Sequence, residues 1–108
     1  ARLSPLAECD FDTTRRRYEL EAGERVSESF RRAFASAMEA LVDFPEIGAS
    51  IPEFVDRLAS LRRLGLSAPF ASTHVYYVRL GSAIEILRVL HESRDRSQLL
   101  RDTLATES

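Results

Sequence analysis

From Glu24 to Asp43 the apolar residues Val26, Phe30, Ala33, Phe34, Ala37 and Leu41 form one stripe at helical spacing. Glu28, Arg31, Arg32 and Glu39 fall mostly off that stripe, so the segment predicts a helix with one face committed to a core. A first helix is predicted just upstream. Ser4 suits an N-cap, and Pro5 suits the first turn, where its missing N–H costs nothing. Glu8, Asp10 and Asp12 follow early, where the helix dipole favours acids. Phe11, Thr14 and Tyr18 share a face, and Ala22-Gly23 is a stop signal. Only about two residues then separate the helices, so they must lie antiparallel as an α-hairpin. Its apolar face needs a second layer.

That layer is legible downstream. Phe44-Pro45 ends the second helix, and Gly48 followed by Pro52 marks a turn. "LRRLGL" (Leu61–Leu66) reads as a strand and "SAPFAS" as a loop. "HVYYVRL" (His74–Leu80) is β-branched and aromatic, and Gly81-Ser82 fits a two-residue hairpin turn. "AIEILRVLH" (Ala83–His91) is the return strand, apolar on both faces and therefore central. The tail from Arg94 to Ser108 has room for a short amphipathic turn through Leu99, Leu100 and Leu104. The expected fold class is α+β, an N-terminal α-hairpin packed on a small, mostly antiparallel twisted sheet, with residues 1–108 as one domain. The far face of the last strand should hold either Ile84, Ile86, Arg88 and Leu90, or Leu87, Val89 and His91. Too little chain remains to cover that face, which points to a partner.

Composition narrows the function. The net charge is -2, and all fifteen basic residues are Arg. Nucleic-acid binders usually carry a clear positive excess, because phosphate contacts supply much of their affinity. Direct sequence-specific DNA binding by this chain is therefore not expected. No apolar run approaches the roughly 20 residues that span a bilayer, and Cys9, Asp10 and Asp12 interrupt any early apolar signal segment. The single cysteine, Cys9, excludes an internal disulfide framework and suits a reducing cytoplasm. It is expected to be a small buried residue. One Cys and two distant His residues do not close a four-ligand zinc site, and no metal or cofactor is expected.

The candidate contact residues follow from position. The last strand runs straight into His91, Glu92, Arg94 and Asp95 instead of leaving through Gly, Pro or Asn. One reading makes His91 a strand-end residue with local hydrogen bonds and Arg94 and Asp95 a mutual pair; the other makes the cluster a working end. Arg62 and Arg63 alternate across the sheet, so one faces the helices and the other is exposed. Arg88 lies mid-strand and needs a carboxylate partner, which is not Glu85. Tyr76 and Tyr77 divide between core and open face.

The order and spacing of "LSPLAECDFD", "DFPEIG", "LRRL", "HVYYVRL" and "ILRVLHESRD" resemble the RelE/ParE toxin family of bacterial toxin–antitoxin systems, from about Leu3 to Leu100. The resemblance implies a small antitoxin whose disordered arm folds over the toxin. It also implies one of two targets. A ParE-like member would inhibit DNA gyrase and be neutralised by a ParD-like antitoxin, with no catalytic set. A RelE-like member would cleave messenger RNA on the ribosome, which needs a base, phosphate-holding cations and an acid. Laid onto this chain, the catalytic positions of RNA-cleaving relatives fall on His74, Arg94 and about Leu100. Leu100 can neither donate nor accept a proton, and "GAS" (Gly48-Ala49-Ser50) stands where many relatives place an Arg. The degraded set favours the ParE-like reading, a contact inhibitor and not an enzyme. Its candidate target or antitoxin contacts are Arg62, Arg63, Tyr77, Arg88, His91, Arg94 and Asp95. The RNase alternative would use His74, His91 and Arg94. A third reading is an inactive toxin kept to bind its antitoxin and regulate its own operon.

Overall fold

The computed structural model describes residues 1–51 and 61–92. The chain opens with a short strand, β1 (Arg2–Leu3), then α1 (Pro5–Ala22) and α2 (Glu24–Asp43). Four strands follow: β2 (Ala49–Ser50), β3 (Arg62–Gly65), β4 (Thr73–Leu80) and β5 (Ala83–His91). The order across the sheet is β1-β5-β4-β3-β2. Three pairings are antiparallel, but β1 runs parallel to β5, so the sheet is mixed and not purely antiparallel. Both edge strands have only two residues, which leaves little exposed ladder for another chain to extend.

The helices form for the expected reasons. The Ser4 hydroxyl accepts from Ala7 N–H at 3.1 Å, capping α1, with Pro5 in the first turn. Gly23, at φ 95°, turns the chain between the helices in a conformation that a side chain would strain. The α2 stripe buries Phe30, Phe34, Ala37 and Leu41. They meet Phe11 and Tyr18 of α1, Phe70 of the β3–β4 loop, and Val75, Tyr77, Ile84, Ile86 and Val89 of the sheet. The aromatic rings interlock, with Phe11–Phe34 centroids 4.7 Å apart and Tyr18–Phe70 edge-on at 5.3 Å.

The far face of the sheet departs from expectation. Leu61, Tyr76, Val78, Leu87 and Leu90 form a second buried cluster, each no more than 4% exposed. This face is buried in the structure, where the sequence left it open for a partner. Neither predicted set of β5 residues occupies it. Tyr76 pairs with Arg88, yet Tyr77 pairs with Ile86, so Leu87 is an extra residue in β5. Such a bulge resets the alternation. Ile84, Ile86 and Val89 therefore face the helices, while Leu87 and Leu90 face away. Both Tyr76 and Tyr77 are buried instead of one, and Cys9 is exposed instead of buried, because it sits on the outer face of α1.

Past the end of β1, α1 itself completes the edge of β5. Ser4 N–H donates to Ile86 O at 2.9 Å, and the Ser4 hydroxyl donates to Leu87 O at 3.0 Å. About a turn and a half further along α1, Asp10 Oδ2 accepts Val89 N–H at 3.0 Å and Arg88 Nε at 2.7 Å, while Oδ1 accepts Arg88 Nη2 at 2.9 Å. The partner demanded by a mid-strand Arg88 is thus Asp10, and these bonds hold the guanidinium pKa above its ordinary value. The two side chains are 12% and 15% exposed. Asp10→Ala leaves Arg88 and Val89 N–H without their acceptor and is expected to cost about 3 kcal/mol. Asp10→Ala with Arg88→Met should recover much of the Arg88 share. Urea unfolding of the single and double variants measures both.

Candidate functional site

Two surfaces carry residues of functional interest. The first surrounds the loop after α2. Tyr77 is fully buried, yet its hydroxyl donates to Pro45 O at 2.9 Å and accepts Gly48 N–H at 2.9 Å. From the neighbouring strand, Arg62 Nη1 donates to Gly48 O at 2.6 Å and to Glu46 O at 3.2 Å. A Cβ on Gly48 would lie 2.7 Å from the Tyr77 oxygen and 2.8 Å from the Arg63 carbonyl, so only glycine fits this approach. Tyr77 and Arg62, both read from the sequence as contact residues, are thus the internal fastening of the 44–48 loop. Tyr77 in particular has no surface to offer a partner.

What that fastening presents is apolar. Phe44 is 65% exposed and Ile47 50%. With Pro45, Asp43, Glu46 and Arg79 they line an open groove of about 660 Å³. Val42 and Leu80, next to it in sequence, are also exposed. The Arg79 guanidinium is turned back onto Gly81 O at 3.1 Å.

The remaining surface is a polar cleft where α1 crosses the end of β5. His91 opens onto it together with Asp10, Thr13, Thr14 and Arg17. His74 is not there. His74 pairs with Leu90, which faces the second cluster, whereas His91 pairs with Thr73 one register position away. Paired residues share a face and successive pairs alternate, so the two imidazoles emerge on opposite sides of the sheet. The His74 ring lies edge-on to Tyr76 with centroids 6.5 Å apart. Arg94 and Asp95 lie outside the described residues.

The cations sort into bound and unbound. Glu28 gathers Arg31 at 2.6 Å and Arg15 and Arg32 at 3.6 Å, and the Arg31 hydrogen bond lowers the Glu28 pKa. Arg88 is held by Asp10. Arg17 and Arg63 make no ion pair or hydrogen bond among the described residues. Arg63 pairs with Tyr76 and is half-buried on the sheet face away from the helices. Of the sequence candidates, then, Arg62, Arg63 and His91 are partly exposed, with the Arg62 guanidinium committed to the 44–48 loop, while Tyr77 is buried and Arg88 is held by Asp10. Among the described residues no cluster of three or more His, Cys, Asp or Glu could hold a metal ion, and no helix is long and apolar enough to cross a membrane.

Sequence reasoning missed Phe44, Ile47, Arg17 and the acceptor role of Asp10. Phe44 and Ile47 carried a signal, two large apolar residues in a Pro-containing turn. Arg17 carried none, being one of three consecutive arginines, Arg15–Arg17.

Residues 1–96 match the model of a family described as the ParE toxin of the type II toxin–antitoxin system, parDE. The fold is similar to a solved structure described as the chromosomal ParDE TA system from P. aeruginosa, with a TM-score of 0.66 at 19% identity. That similarity covers 83% of this chain and 91% of the other. No curated protein matches the sequence.

Burial raises the Tyr77 pKa above its ordinary 10.0, against the opposing pull of the Gly48 N–H bond. A raised pKa in the folded state means that the Tyr77 contribution is complete below about pH 10 and lost as pH rises through the folded value. Tyr77→Phe should lower stability by about 1–3 kcal/mol near neutral pH, because Gly48 N–H and Pro45 O lose their partner. It should also flatten the alkaline fall in stability. Urea unfolding across pH 8–11 tests both.

Proposed function

Because the chain belongs to the ParE toxin family of type II toxin–antitoxin systems, we propose that it is a cytoplasmic toxin that inhibits DNA gyrase by contact and is neutralised by a ParD-like antitoxin. The observation that carries the choice of contact over chemistry is the separation of His74 and His91 onto opposite faces of the sheet. An RNA-cleaving centre needs its base, acid and cations around one phosphate. A contact inhibitor needs no such gathering.

The antitoxin reading draws on the exposed Phe44 and Ile47. Large apolar side chains held in the open by a buried fastening are what a protein partner covers. Asp43 and Glu46 on the same rim favour a partner segment with a basic residue beside its apolar ones. Recognition of operator DNA then falls to the antitoxin, in keeping with the net charge of -2.

Two assays run side by side test the reading. The free protein should abolish supercoiling by purified gyrase and accumulate cleaved DNA, and leave mRNA on programmed ribosomes intact. Codon-dependent mRNA cuts with gyrase unaffected would sink it, and the absence of both activities would mark an inactive antitoxin-binding module. The Phe44→Ser, Ile47→Ser double variant should bind antitoxin at least about tenfold more weakly, as truncation of a central apolar anchor predicts, measured by titration calorimetry.

A further inference from the structure

We propose that the cleft between α1 and the end of β5 is a binding site for a single phosphate-class oxyanion. The site is not required by the toxin reading and stands whatever the target proves to be.

Size sets the first limit. The cleft holds about 200 Å³, below the roughly 300 Å³ at which pockets for larger ligands begin. One tetrahedral oxyanion with a few waters fits there, and a nucleobase with its sugar does not.

Charge sets the second. The acid on the wall, Asp10, is already spent. Its two oxygens accept three hydrogen bonds, from Arg88 twice and from Val89 N–H. The Asp10–Arg88 pair is therefore neutral as a unit, and among the described residues the charge facing the cleft is that of Arg17. Among the described residues no acid or carbonyl takes up the Arg17 guanidinium, although Arg15 two residues earlier is drawn to Glu28 and Ser27.

The donor chemistry sets the third. Thr13, Thr14 and Arg17 come from α1, with Thr13 and Arg17 one turn apart at i and i+4. His91 comes from the opposite wall on β5. Two hydroxyls and a guanidinium fork on α1 can donate into the cleft, and the His91 ring lines the facing wall. That suits the distributed oxygens of a phosphate better than the two coplanar oxygens of a carboxylate. Asp10 also fixes the spacing of the walls, since it ties α1 to the β5 backbone at 3.0 Å beside His91.

The shared chemistry, a phosphate oxyanion, has two sources: free phosphate or the phosphodiester of a nucleic acid. The test is NMR titration of the isotope-labelled full chain with inorganic phosphate, against sodium chloride at matched ionic strength. Saturable shifts of the Arg17 side chain, the His91 ring and the Thr13–Thr14 amides are expected with phosphate and not with chloride. Arg17→Gln should weaken binding roughly tenfold, the size of one charge-assisted contact. Thr14→Val should weaken it by a smaller factor with the fold unchanged in the amide spectrum. A second arm adds a short single-stranded oligonucleotide. If it shifts the same signals and Arg17→Gln weakens it too, the site takes a phosphodiester. If only inorganic phosphate does so, the site takes the free ion. Shifts that match chloride, or binding that both variants leave intact, overturn the proposal.

Discussion

The carboxylate of Asp10 on the edge of β5 is the constraint on which the rest of the molecule depends. β1 covers that edge for two residues only, and a parallel strand so short cannot satisfy the backbone beyond it. Ser4 and Asp10 take over, one at the start of α1 and one a turn and a half later. Buried backbone donors require partners, so this seam decides how α1 crosses the sheet. It joins residues 78 to 83 positions apart, tying the beginning of the described chain to its end. The aromatic core between hairpin and sheet, the closed edge and the polar cleft all inherit their geometry from it.

A second fastening works at the other end of α2. Tyr77 lies in the core but spends its hydroxyl on the backbone of Pro45 and Gly48. Arg62 adds two more bonds to the same loop. A loop held by four hydrogen bonds does not collapse to bury its own apolar residues. Phe44 and Ile47 stay outside because the polar groups around them are satisfied inside. The surface a partner would cover is therefore a product of interior hydrogen bonding.

The fold was largely legible because its signals are periodic and local. The α2 stripe, the Ser4-Pro5 start, the Gly23 stop and the Gly81-Ser82 hairpin each rest on a few neighbouring residues, and the structure carries all of them. The bulge at Leu87 was not legible. Residues 86–90 are apolar on both faces apart from Arg88, so no alternation existed to break. The parallel β1–β5 pairing depends on a contact across more than 80 residues that two side chains cannot announce. The candidate site fared less well for a related reason. Tyr77 and Arg62 have the residue types of a contact surface, and only tertiary placement distinguishes a tyrosine that meets a partner from one that fastens a loop. Arg88 was legible in its need for a carboxylate, though not in the identity of Asp10. The carboxylate's place in the first half of α1 made a helix-dipole role sufficient.

The two outward-facing surfaces stand at opposite ends of the β4–β5 hairpin. His91 is paired with Thr73 at the start of β4, and Arg79 lies near its end. Six residues of strand separate them, roughly 20 Å at the usual rise. A partner seated only on Phe44 and Ile47 thus leaves the polar cleft open. To cover both, its chain must continue for about six extended residues along the hairpin. An arm that orders only on binding can do this, because it follows a long path without a preformed shape. Spanning both surfaces with one partner is thus a question of reach along the hairpin, which an extended segment supplies without a preformed shape.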